Sequence, residues 1–404
     1  VTTVQPASEN MSAHAPGFPI VAVIGDGQLA RMMQTAAIEL GQSLRVLASR
    51  PDSSAAQVAH DVYIGDYTDL DDLRAVCAGA DVVTFDHEHV PNEHQHTLIG
   101  EGVNIQPRPE ALVYAQDKLL QRRHLSELGA PVPDFAAITS IADAREFFAR
   151  VNGAVCLKAR RGGYDGKGVW FVDSEEELCE RVETLLAQGI DLMAETKVEL
   201  RRELSAMVAR RPSGECVSWP VVESVQENGV CALAVAPAPG LDESVEARTA
   251  AMARRVADTL GVTGVLAVEL FETTAGEIFV NELAMRPHNT GHWTQDGCVT
   301  SQFEQHLRAV LDMPLGATTP TAGYTVMANI LGGEEDPGLS SAERQAEVWK
   351  RYPQAKIHLY GKGYRPGRKI GHVNLSGEGD VDALRADARA AAYFMVHAHW
   401  PSQS

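Results

Sequence analysis

Between residues 20 and 85 short apolar runs alternate with segments of helical periodicity, and this alternation restricts the fold more than any other feature of the chain. Residues 20–24 read as a buried strand, the turn Gly25-Asp26-Gly27 follows, and residues 29–40 carry apolar side chains at helical spacing up to a Gly41 stop. Further strands are predicted at 44–48, 62–64 and 81–85, with a helix over 70–77 closed by Gly79. Such alternation builds a parallel sheet covered by helices, because parallel neighbours need a crossover and a helix supplies it compactly. Pro107 and Pro109 punctuate the chain before a helix predicted over 110–128, and Gly129-Ala130-Pro131 breaks it, which places the first domain boundary there.

From 135 to 189 the pattern is helix, strand (154–158), glycine-rich loop, strand (168–172) and a helix opened by Asp173-Ser174, a small α+β lobe. Residues 192–235 are strand-rich and 244–260 helical, and 265–271 with 278–283 form a hairpin around Ala275-Gly276. After Ala317-Thr318-Thr319-Pro320, short strands and one terminal helix over 381–397 are expected. The expected division is a flexible extension over 1–18, then domains or lobes over 19–128, 129–190, 191–318 and 319–404.

Composition removes several function classes. The chain has 404 residues, which suggests two to four domains. Its 35 Lys and Arg against 54 Asp and Glu leave a net charge of −19, which repels a nucleic-acid backbone or an anionic membrane. The six cysteines never approach within a zinc-knuckle or C-x-x-C spacing. Apolar runs last about five residues, far short of the roughly 20 that span a bilayer. Residues 1–17 lack the basic start and apolar stretch of a signal peptide, so a cytoplasmic location is expected.

Six segments carry candidate chemistry. Gly25-Asp26-Gly27-Gln28-Leu29-Ala30 fits G-x-G-x-x-A, with Asp52 after the second strand; it leaves open a dinucleotide, a small anion at the helix N-terminus, or turn geometry alone. Lys158-Ala159-Arg160-Arg161-Gly162-Gly163-Tyr164-Asp165-Gly166-Lys167-Gly168 sets four basic residues among four glycines between two strands, a loop suited to closing over polyphosphate, though not a Walker A motif. Glu269 and Glu282 face each other if a two-residue turn at Ala275-Gly276 sets the hairpin register. Opposed carboxylates repel, and a divalent cation reverses the sign of that interaction. Arg286-Pro287-His288-Asn289-Thr290-Gly291-His292-Trp293 loads one loop with donors; Pro287 and Gly291 argue against the helix that would align His288 and His292 on zinc. His87, His89, His94 and His96 around Glu88 are either a metal site or a polar loop after a strand. Lys362 to His372 concentrates Lys362, Arg365, Arg368 and Lys369, either an anion site or solvated charge.

Together these motifs resemble the N5-carboxyaminoimidazole ribonucleotide synthetases, an ATP-grasp family, from about Pro19 to His397. The strongest pieces are residues 25–33, the 160–168 loop, Asn281-Glu282-Leu283 running into His288-Asn289-Thr290-Gly291-His292-Trp293-Thr294, and Pro366-Gly367-Arg368-Lys369-Ile370-Gly371-His372. Met285, Asp86-His87-Glu88-His89 and Gln226 depart from the family's pattern.

The resemblance implies an α/β and α+β architecture: a Rossmann-like pre-ATP-grasp domain, two ATP-grasp lobes and a small β-rich C-terminal domain packed on them. It implies ATP contacts at Lys118, Lys158, Gly163, Tyr164, Asp165, Gly166, Lys167, Gly168, Glu195, Val198, Glu203, Gln226, Asn281 and Glu282, with Mg2+ or Mn2+ on Glu269 and Glu282. Substrate contacts fall on Gln28, Glu88, Tyr164, Asp165, Arg286, His288, Asn289, Lys362, Arg368 and Lys369, and catalytic roles on Asp165, Lys167, Arg286 and His288. The implied reaction joins ATP, bicarbonate and 5-aminoimidazole ribonucleotide in a cytoplasmic homodimer, without nucleic acid or membrane.

Overall fold

The computed structural model describes residues 13–162, 167–227 and 229–402. Residues 1–12 of the expected extension, and Gly163, Tyr164, Asp165 and Gly166 of the expected phosphate loop, lie outside them. The chain divides into two compact units, Val1–Gln106 and Pro107–Ser404.

The first unit is the parallel domain read from the alternation. Strands β1 (Val21–Ile24), β2 (Leu44–Ala48), β3 (Asp61–Ile64) and β4 (Val82–Phe85) form a sheet in the order β3-β2-β1-β4. Helices α1 (Gln28–Glu39), α2 (Leu70–Cys77) and α3 (Asn92–Gly100) accompany it. Every residue of β1, β2 and β4 is buried, as strands covered on both faces must be. His14 reaches Asp61 at 2.8 Å and the Ser43 carbonyl at 3.0 Å, tying the described end of the expected extension to this sheet.

The second unit opens with α4 (Pro109–Gln116) and α5 (Lys118–Glu127), not the single helix predicted over 110–128. Asp117 breaks it: its backbone is extended and its carboxylate caps α5 by accepting from Leu119 and Leu120 N–H. Strands β5 (Phe135–Ile138), β6 (Val155–Ala159), β7 (Val169–Phe171) and β8 (Leu192–Thr196) make an antiparallel sheet in the order β5-β8-β6-β7. Helices α6 (Ile141–Arg150) and α7 (Glu175–Ala187) bury Phe147, Leu178 and Val182 in one core with its Leu157 and Ala194.

A nine-stranded sheet follows. Its strands are β9 (Leu200–Arg210), β10 (Cys216–Ser218), β11 (Val222–Glu227), β12 (Val230–Ala236), β13 (Gly264–Thr273), β14 (Ile278–Ala284), β15 (Tyr324–Leu331), β16 (Lys356–Leu359) and β17 (Lys369–Gly377). They run in the order β14-β13-β9-β11-β12-β15-β17-β16, with β10 paired to β9. Helices α8 (Glu243–Thr259), α9 (Thr294–Gly297) and α10 (Gln302–Val310) lie between its strands in sequence. The C-terminal residues therefore extend this sheet edge to edge, with β15 paired to β12. Their helices α11 (Ser341–Arg351) and α12 (Val381–His397) share one core with β12 through Leu233 and Val235. Helix α11 was not expected; Ser340 and Glu343 form its capping box.

Candidate active site

The hairpin of β13 and β14 brings the two paired carboxylates together, but not by the register the sequence suggests. Thr273 and Glu277 close a three-residue tip in which Gly276 adopts φ +81°. Ile278 then faces Glu272, Phe279 faces Phe271 and Val280 faces Leu270, a register that would send Glu282 to the face opposite Glu269. A bulge at Asn281 supplies one extra residue, and beyond it Glu269 faces Glu282. The expected pair forms because two departures from the expected hairpin cancel.

Each carboxylate has its own partner. Lys118 Nζ, from the first turn of α5, lies 2.6 Å from Glu282 Oε1, and His288 Nε2 lies 3.0 Å from Glu269 Oε1. Burial would push the Glu269 carboxyl up, but hydrogen bonding to His288 and the charges of His288, Lys118 and Arg286 hold it below the usual range. Lys158 donates to Asn281 Oδ1 at 3.2 Å and pairs with Glu195. Gln302 pins the His288 backbone from both sides, accepting from its N–H and donating to its carbonyl at 2.8 Å each.

Alternation along β9, β11 and β13 places Glu203, Ser205, Ser224 and Glu269 on one sheet face. This face and the β6–β8 sheet enclose a cavity of about 660 Å³. It brings together Lys118, Lys158, Lys167, Glu195, Val198, Glu203, Gln226, Glu269, Asn281, Glu282, His288, Asn289 and Lys369. Glu203 is pushed up to about 7 by burial and then by the Glu269 charge. Glu195 behaves oppositely: burial raises it, but Arg122 and Lys158 hold it at about 2. Gln226 donates its amide to Ser224 Oγ at 2.8 Å, which leaves its carbonyl oxygen as the acceptor.

Other expected residues among those described do not line this cavity. Gly168 receives the Ala159 N–H, Arg286 donates to the Pro287 carbonyl, Lys362 stands 5.8 Å over the Tyr360 ring, and Arg368 donates to the Gly363 carbonyl. Gln28, at the start of α1, and Glu88, half-buried after β4, belong to the first unit.

At two candidate anion sites the chain's own charges take up part of the binding groups. Among the described residues of the 158–168 segment only Lys158 and Lys167 line the cavity. Arg160 and Arg161 instead meet the buried Asp117 carboxylate, at 2.8 Å and 3.3 Å, and fasten the base of the loop. At the Gly25–Gly27 turn the chain supplies its own anion: Asp86 Oδ2 accepts the Gly27 N–H at 2.7 Å. A Cβ on Gly25 would sit 1.7 Å from Asp86 Oδ1, so the glycine is required by that close approach.

Among the described residues no group of three or more His, Cys, Asp or Glu is arranged to hold a metal. His292 is buried, accepts from Gln302 and stacks on His372 at 4.9 Å, whereas His87 stands against Tyr67. Arg122 escaped the sequence reading, since only its place one turn after Lys118 marks it; it is fully buried and binds both Glu195 and the Asn281 carbonyl.

Comparison with known proteins is consistent along the whole chain. Residues 19–116 match the ribonucleotide synthetase preATP-grasp domain, 123–303 the ATP-grasp domain, and 325–386 the phosphoribosylaminoimidazole carboxylase C-terminal domain. The N5-carboxyaminoimidazole ribonucleotide synthase of Corynebacterium ammoniagenes is 62% identical over 397 residues, covering 97% of this chain and 95% of that protein. The synthase of Mycobacterium tuberculosis is 53% identical over 382 residues, covering 95% and 89%. The crystal structure of the Thermus thermophilus synthetase superposes with a TM-score of 0.84 at 37% identity, over 95% of this chain and all of that one. The Aspergillus clavatus enzyme in complex with ADP and 5-aminoimidazole ribonucleotide superposes at 0.83 and 29% identity, over 93% and 98%. With three domains matched in order and identity sustained over nearly the full length, the chain belongs to the N5-carboxyaminoimidazole ribonucleotide synthase family of ATP-grasp ligases.

Proposed function

We propose that the chain carboxylates 5-aminoimidazole ribonucleotide in de novo purine biosynthesis. The γ-phosphoryl group of ATP passes to bicarbonate, giving ADP and carboxyphosphate. CO2 then passes to the exocyclic amine, releasing phosphate and forming N5-carboxyaminoimidazole ribonucleotide. The carrying observation is one cavity, in a member of this family, lined by Lys118, Lys158 and Lys167 and floored by two opposed carboxylates.

Lys118 and Lys158 offset phosphate charge and residues 163–168 contact the phosphates, while Val198, Glu203 and Gln226 hold the nucleoside. The Glu195 carboxylate is committed to Arg122 and Lys158, so its nucleotide contact runs through the main chain. Glu269 and Glu282 fit Mg2+ or Mn2+, because two carboxylates on one face complete a hard cation's shell together with phosphate oxygens. When bound, the metal neutralises charge on the transferring phosphoryl group. Arg286 and His288 orient bicarbonate, and Asp165 accepts the proton released by the amine. Lys362, Arg368, Lys369, Asn289, Tyr164, Gln28 and Glu88 are the proposed ribonucleotide contacts. The proposed assembly is a homodimer in the cytoplasm, with domain limits at 128, 190 and 318. No helix among the described residues is long and apolar enough to cross a membrane.

The test is ADP release with 5-aminoimidazole ribonucleotide present and then omitted, in bicarbonate and in formate. Release that needs both bicarbonate and the ribonucleotide is expected. Release supported by formate points to a formate-using ATP-grasp ligase, and none under any condition sinks the proposal.

A further inference from the structure

Four residues close a ring at the base of the cavity. Arg122, one helical turn beyond Lys118 on the same face of α5, donates Nε to Glu195 Oε2 at 2.9 Å and Nη2 to the Asn281 carbonyl. Its Nη1 donates to Gln121 Oε1 at 2.8 Å. Glu195 pairs through its other oxygen with Lys158, and Lys158 returns to Asn281 Oδ1. The ring thereby joins α5, β6 and β8 to the bulge of β14. Adjacent bulge residues, Asn281 and Glu282, are each gripped by a cation of α5.

A fully buried guanidinium is expensive to desolvate, and apolar side chains would serve stability as well, so its value here lies in geometry. The bulge leaves Asn281 without a partner residue on β13, and a bulge is the feature that decides where the next side chain points. Arginine's planar fork meets Glu195 and the Asn281 carbonyl at once from fixed directions; an ammonium is a single point donor on a flexible stem. Arg122 itself does not line the cavity.

We infer that Arg122 is a positioning residue that locks the β14 bulge, and through it aims Asn281 and Glu282 at the groups held by Lys158. The inference rests on reading the cavity as the nucleotide site. Its action is on the transition state, where misplacement of charge by about 1 Å costs on the order of 100-fold.

The experiment compares wild type with Arg122→Lys, which keeps the charge but loses the fork, and Arg122→Met, which keeps the buried stem and loses the charge. In both, Glu195 retains Lys158 as its partner. Thermal unfolding, Mg·ADP affinity by calorimetry, and kcat and KM for ATP are measured. Both variants should fold, lose at least about 30-fold in kcat, and shift Mg·ADP affinity and ATP KM by less than about 10-fold. A kcat within about twofold of wild type in either folded variant overturns the inference, as does rescue by lysine. Failure of both to fold also overturns it, since the role is then structural. Wild type that binds no Mg·ADP instead removes the nucleotide reading itself, so the two failures are distinguishable.

Discussion

The two faces of the nine-stranded sheet both carry acids, buried on one and half-buried on the other, and the acids meet different cations. On one face Glu272 and Glu223 are held by Arg202, with Arg201 on Glu272 at 2.9 Å and Arg385 on Glu223 at 2.8 Å. On the other, Glu282 meets Lys118 and Glu269 meets His288. Guanidinium groups are always charged and present several donors in a rigid fork, here bridging two carboxylates at Arg202, and they fasten carboxylates. A lysine is a single charge on a flexible stem and a histidine can give up its charge, so these partners can yield a carboxylate to an arriving ligand. The proposed site thus lies on the face whose carboxylates have exchangeable partners, and strand alternation separates it from the arginine-fastened face.

Breaking the exchangeable face should have the largest effect. Glu269→Gln and Glu282→Gln are each expected to lower kcat by at least about 100-fold with the fold intact; normal turnover at physiological Mg2+ in either variant would remove the metal assignment. The fixed face should answer in stability instead. Arg202→Met should cost about 2 kcal/mol in chemical denaturation, less than the roughly 3–5 kcal/mol of an uncompensated buried charge because Arg201 and Arg385 remain. Its kcat should stay within about twofold, and a large loss of turnover would show that the faces are not independent.

A smaller effect separates neighbours at the start of β17. Lys369 lines the cavity and Arg368 does not. Arg368→Ala should raise the KM for 5-aminoimidazole ribonucleotide by about 10-fold, as expected for one charge-assisted hydrogen bond of roughly 1.5 kcal/mol, and leave the ATP KM nearly unchanged. Lys369→Ala should raise both. Identical profiles for the two variants would dissolve the distinction.

A separate effect is on the pH dependence of stability. Glu203, pushed up to about 7 from 4.5, binds a proton in the folded chain that the unfolded chain releases. Stability should therefore fall as pH rises from about 4.5 to about 7 and level off above, and Glu203→Gln should flatten that limb. Glu195, held at about 2, acts with the opposite sign: its contribution is present above about 4.5 and is lost as pH falls towards 2. Denaturation midpoints across this range check both signs; an unchanged neutral limb in Glu203→Gln would contradict the assignment.

Much of this was legible in the residues. Strand-helix alternation over 20–85 is a local signal, and each element appears within a residue or two of its expected limits. Lys158, Lys167 and Lys369 of the cavity and the opposed glutamates also stood out by type and spacing, whereas Lys118 is marked only by the family resemblance. What was missed depends on contacts distant in sequence. Asp117 breaks a helix and gathers Arg160 and Arg161 from more than 40 residues away. Arg122 reaches a carbonyl 159 residues away. Asp86 fills a turn 59 residues before it. The α11 capping box, by contrast, was written plainly in Ser340 and Glu343 and was overlooked among predicted strands.

The continuity of the large sheet bears on how the chain is made. Strand β12 ends at Ala236 and its outer neighbour β15 begins at Tyr324, so the ribosome must deliver roughly ninety further residues before that edge can be paired. At about 5–20 residues per second this leaves roughly 4–18 s in which a nascent apolar strand, Val-Cys-Ala-Leu-Ala-Val-Ala, waits with its hydrogen-bonding edge open. Slow translation across 237–323 lengthens the exposure, and a nascent chain stalled there offers a template for pairing with another copy.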